Sequence, residues 1–150
     1  MIDTNAIHDC FVSRIAKEVK VDGAGISYKV ITPFLDSSND RIAIYLIVGR
    51  GGALVLDDGE TISELYRKKA VWETLAAWSK HEELPVLQTN DDFLVIEVKR
   101  DSSGNLPFER LGEAMWKMTT LLAMLHGFKY MPGGDLGEEE EISAQAEEEQ

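Results

Sequence analysis

A single cysteine, Cys10, stands in the 150 residues, so no disulfide can close within the chain. The opening stretch MIDTNAIHDC has neither the basic lead nor the long apolar run of a signal peptide. No window approaches the roughly 20 consecutive apolar residues of a transmembrane helix. A cytoplasmic protein, bacterial or in an infected cell, is expected, with no membrane as partner. Basic residues are also scarce, at 15 against 27 acids, and they form no cluster. Nucleic-acid binding needs a positive patch to neutralise phosphates and is not expected here. Gly49-Arg50-Gly51-Gly52 is followed by a strand, whereas a phosphate loop leads into a helix N-terminus, so it reads as a hairpin turn. His8, His81 and His126 share no ligand spacing, which argues against a zinc site. Neither metal nor cofactor is expected, and no stretch is a catalytic signature of high specificity.

What is present is a globular composition, 44% hydrophobic and 8% aromatic. The length suits one core rather than two. The formal charge of −12 is concentrated: eight acids and no bases lie between Asp135 and Gln150, leaving 19 acids against 15 bases elsewhere. Residues 1–131 are therefore expected to form a single α+β domain and residues 132–150 an acidic flexible tail, set off by Pro132-Gly133-Gly134. Mimicry of DNA by the tail is conceivable, but a solvated appendage explains it as well.

Along the body, Ile7, Cys10, Phe11, Ile15 and Val19 recur at helical spacing, with Asp3 or Thr4 as cap, and predict a helix from about Thr4 to Lys20. Cys10 falls on its apolar row without a basic activator and reads as a small buried hydrophobe. Asp22-Gly23-Ala24-Gly25 breaks the helix. Strands follow at Ile26 to Phe34, Arg41 to Val48 and Ala53 to Leu56, joined by turns at Asp36 to Asp40 and Gly49 to Gly52. The middle one is apolar on both faces and belongs inside a sheet. Thr61-Ile62-Ser63-Glu64 reads as a capping box opening a second helix, with Ile62, Leu65, Tyr66, Trp72, Leu75 and Ala76 on its main face and Val71 and Trp78 on another. Val86 to Gln88 and Phe93 to Arg100 suit a hairpin. Pro107 and Gly127 bracket a last helix whose Phe108, Leu111, Met115, Met118, Leu122 and Leu125 form a heptad-like seam. The predicted order is helix, three-stranded antiparallel meander, helix, β-hairpin, helix. On the last helix a second row of Trp116, Leu121, Met124 and Phe128 lies off the seam. Together with Trp72 and Trp78 it is the candidate interface, for a protein partner or for a second copy in a homodimer.

The signature ITPFLD (Ile31 to Asp36), ND-I-IY (Asn39 to Tyr45) and LDDG-TI-L (Leu56 to Leu65) resembles a bacterial and phage family catalogued as a domain of unknown function. The resemblance covers about 35 residues, with a looser fit to Met131, and implies a phage or mobile-element setting without implying an activity. The order of elements resembles that of type III secretion chaperones, homodimers that hold partner proteins extended. These resemblances imply a non-enzymatic protein-binding module that modulates a host or defence protein or serves as a chaperone-like adaptor.

One stretch suggests a different chemistry. FLVIEVKR sets Glu97 and Lys99 two apart on one strand face, which resembles half of the restriction-endonuclease-like nuclease motif, where an acid holds a divalent metal and the lysine positions water. A second carboxylate would have to come from Asp57, Asp58, Asp36 or Asp40. A solvent-facing strand that alternates Glu and Lys accounts for the same residues. Asp57-Asp58-Gly59-Glu60 itself lacks the spacing of a calcium-binding hand, and turn and cap chemistry accounts for it.

Overall fold

Alternation in the middle strand becomes sheet geometry in the computed structural model, which describes residues 1–80, 87–90 and 93–131. Four helices and six strands follow in the order α1 (Thr4–Glu18), β1 (Lys20–Ala24), β2 (Ser27–Leu35), β3 (Arg41–Val48), β4 (Gly52–Leu56), α2 (Thr61–Leu65), α3 (Lys69–Ser79), β5 (Leu87–Asn90), β6 (Phe93–Lys99) and α4 (Phe108–Gly127). The strands form one antiparallel sheet in the order β1-β2-β3-β4-β6-β5. Residues Val30, Ile42, Ile44, Ala53, Val55, Leu94, Ile96 and Val98 point to the inner face. There they meet Leu111, Ala114, Met118, Leu121, Leu122 and Leu125 of α4, with Ile62 and Leu65 of α2 and Val71 and Leu75 of α3 alongside. The predicted α+β class, meander and hairpin are present, and so is the helix-on-sheet seam from Leu111 to Leu125, but Phe108, the first residue of α4, is 75% exposed and Met115 is only half-buried. Burying a core side chain contributes about 1.5–3 kcal/mol.

The first difference lies at Asp22 to Gly25, where the sequence suggests only a break. The chain instead forms β1 and turns directly into β2. Gly23 has φ +128, and a Cβ there would meet Ser27 O at 2.3 Å, so glycine permits the close approach rather than ending the element. Gly52 serves β4 in the same way: with φ +143, its missing Cβ would lie 2.0 Å from Val98 O of β6.

The second difference is in the middle helix, which is two helices. Lys68 is extended, with φ −84 and ψ 115, and Trp72 Nε1 donates to Tyr66 O at 2.6 Å, taking up a carbonyl freed at the end of α2. The break rotates α3, so Val71 turns to the core while Ala76 is exposed. The capping box is not formed either. Glu60 occupies the cap position without a side-chain cap, and Thr61 is buried.

α1 is the third difference. The helix is where periodicity places it, capped by Asp3 accepting from Asn5 N, but not one of its residues is buried. Cys10 is exposed, its Sγ donating to Ile7 O, contrary to the buried role expected for it. The stripe on which it lies stays unburied, although α1 does approach β2. α1 is tied down at its C-terminal end, where Arg41 donates to Glu18 O and pairs with the Glu18 carboxylate at 2.7 Å. That guanidinium, followed by Arg14, holds the Glu18 carboxyl below its usual range.

Candidate functional site

Two features could carry function: a polar line at one end of the inner layer, and apolar surfaces that the chain leaves uncovered. The polar line starts at Asp57, which continues the inward register of Ala53 and Val55 beyond β4 and is 1% exposed. Its Oδ1 accepts from Leu94 N at 3.0 Å, and its Oδ2 has no hydrogen-bond partner among the described residues. Burial pushes this carboxyl up to about 6, against the lowering effect of the Leu94 hydrogen bond and with a small addition from the Asp58 charge. Thr61 follows, its Oγ1 3.5 Å from His126 Nε2 near the end of α4. The other ring nitrogen, Nδ1, is 3.0 Å from Ser37 Oγ in the β2–β3 turn, whose carbonyl accepts from the Tyr130 hydroxyl. The line thus binds the end of α4 to two loops of the sheet. Its hydroxyls are engaged, and the turn amides of Ser38 and Asp40 are taken by Asp36 Oδ1.

Glu97 and Lys99 are exposed and point away from this line. In the β4–β6 register Glu97 faces Leu54 and Lys99 faces Gly52 on the outer side of the sheet, whereas Asp57 points inward. Asp36 and Asp40 sit in the β2–β3 turn, at the opposite end of the strands from Lys99. Asp58 is exposed and accepts from Glu60 N, as turn chemistry requires. The structure therefore does not bring Glu97 and these aspartates into one cleft. Among the described residues, no three histidines, cysteines or acids are grouped so as to hold a metal ion. His8 is exposed beside Asp9, and His81 lies outside the described residues.

The expected interface divides. Leu121 is fully buried and belongs to the core, whereas Trp72, Trp78 and Phe128 are half-buried and pack against it. Trp116 and Met124 remain 61% and 44% exposed on α4, with Phe34 edge-on to Trp116 at 6.0 Å. Lys117 was not anticipated. It is buried, and its Nζ donates to Trp78 O at 3.3 Å, near the C-terminus of α3, where a cation is favoured. Burial lowers its pKa.

The larger uncovered surfaces were missed in the sequence because an apolar stripe does not reveal what it packs against. On α1, Ile7, Phe11, Val12 and Ile15 are 52%, 67%, 47% and 36% exposed. On the sheet, Ile31, Ala43, Tyr45, Ile47, Leu54 and Val95 share the outer face, and α2, α3 and α4 all lie on the other. No helix among the described residues is long and apolar enough to cross a membrane.

Fold and surfaces define a small α+β domain with helices on one face of an antiparallel sheet and apolar surfaces presented outside it. Residues 32–104 match the domain of unknown function DUF1828, a stretch of just under half the chain. The match takes in Ser37, Asp57 and Thr61 but neither α1 nor α4. No curated protein and no solved structure matches the chain significantly.

Proposed function

We propose that this chain is a non-enzymatic protein-binding module acting in a cytoplasm. One observation carries the reading: α1 is 15 residues long and has no buried residue. A helix of that length is marginal in water by propensity alone, and helices in proteins owe most of their stability to a packed apolar face. Its cap and its Arg14–Glu18 pair are surface interactions of small effect. A stripe of Ile7, Phe11 and Ile15 held out on such a helix suits a protein surface. Trp116 and Met124 on α4 offer a second, smaller contact. The resemblance to bacterial and phage proteins supports a mobile-element setting, and with it the modulation of a host or defence protein or a chaperone-like adaptor role.

A photo-crosslinking residue at position 11, introduced in the full chain inside the producing cell, tests this. The expected result is a discrete protein adduct that a probe at exposed Ser102 does not give. Absence of any protein adduct from position 11 would overturn the reading.

A further inference from the structure

We infer that the occupant of the α1 stripe is a second copy of this chain, with α1 of each copy lying across the outer sheet face of the other. The inference rests on the binding-module reading and names its partner. The described residues carry two apolar surfaces of complementary kind, a helix stripe and a patch of the outer sheet face bordered by Lys29, Glu97 and Lys99, and an apolar sheet patch is ordinarily covered by another element. On this face Ile47 and Leu54 are 41% and 36% exposed, flanked by half-buried Tyr45 and Val95.

The connection decides against α1 covering its own sheet. A single residue, Val19, joins Glu18 of α1 to Lys20 of β1, and β1 is the edge strand of the sheet. Folding a helix back over the sheet to which it is joined takes a loop of about two to six residues. One residue in extended conformation, with φ −89 and ψ 127, is shorter than that, and α1 is left with no buried residue. A short connection that prevents intramolecular packing is the condition under which an element is exchanged between copies.

Exchange in both directions gives a closed two-fold dimer in which both surfaces are used twice. The size sets the strength: 15 residues make a helix about 22 Å long and about 10 Å across. Two such contacts, counted on both partners, cover about 900 Å² in projection. That is below the range of about 1,200–2,000 Å² typical of stable interfaces and suits a weak, concentration-dependent dimer.

The test is sedimentation and native mass spectrometry of the full chain, of Ile7→Asp/Phe11→Asp, and of Leu54→Lys, with circular dichroism to confirm that each is folded. All three substituted side chains are exposed, so the fold itself should survive. The expected result is a dimer for the unaltered chain and monomers for both variants. A monomeric unaltered chain at micromolar concentration would overturn the inference, and so would a dimer that survives Leu54→Lys, since helix-to-helix pairing gives that pattern. A monomer that still yields a heterologous adduct from position 11 sinks only the self-exchange and leaves the binding-module reading; a monomer without adduct sinks both.

Discussion

Asp57 shows how one buried oxygen sets a pH response. Its Oδ1 is used by Leu94 N while its Oδ2 is unpartnered among the described residues, and desolvation raises the carboxyl to about 6 from an ordinary 3.8. Between these values the folded state holds a proton that the unfolded chain has released, so stability is fully present below this window and is lost as pH rises through it. The gap corresponds to about 3 kcal/mol as an order of magnitude. Asp57→Asn keeps an acceptor for Leu94 N and removes the titration. Relative to this variant, the unaltered protein should therefore lose stability from about pH 4 to about pH 7, read as a shift in urea midpoint. A constant difference across that range would show that Asp57 does not titrate there. Residue type and position suggested turn chemistry at Asp57-Asp58, and Asp58 behaves that way. The inward direction of Asp57 follows from its register beyond β4, and the link from Ser37 to His126 joins residues 89 positions apart, which no local pattern conveys.

At the scale of elements, periodicity identified the helices and strands where a single face is buried. The seam Leu111, Met118, Leu122 and Leu125 is the inner face of α4, and the alternation of Ile42 and Ile44 is the inner face of β3. It failed where the cause is tertiary. Tyr66-Arg67-Lys68 contains neither glycine nor proline, so the break between α2 and α3 has no local marker; the bond from Trp72 to Tyr66 O and the fit of Val71 into the core stabilise it. The break has a consequence for mutants. Val71→Ala should cost about 2 kcal/mol, because it removes two methyl groups from a fully buried site. Ala76→Glu should change stability by less than about 0.5 kcal/mol, since the position is exposed. Chemical denaturation that finds Ala76→Glu the more damaging would mean one continuous helix with Ala76 inward. For α1 the same periodicity gave the helix and its stripe but not its surroundings, because a stripe at 3.6 spacing reads alike whether it meets the chain's own core or another protein.

For the molecule as a whole, the net negative charge is unevenly spread along the sequence. Eight of 27 acids fall in the last 16 residues, which contain few large apolar side chains. Truncation after Met131 should accordingly leave the melting temperature within a few degrees, because little apolar area goes with those residues. A drop well beyond that in calorimetry would show that the segment contributes to the packed domain. Among the described residues, α2, α3 and α4 cover one sheet face and not the other, and α1 adjoins the edge strand with no residue buried. The most direct measurement of whether α1 exists to bind another protein is amide hydrogen exchange of the full chain over a dilution series. Exchange in β3, β4, β6 and α4 should stay slow throughout, while α1 is protected at high concentration and becomes fast on dilution. Protection of α1 equal to that of α4 at every concentration would mean that the helix is supported within its own chain, and would contradict its role as a binding element.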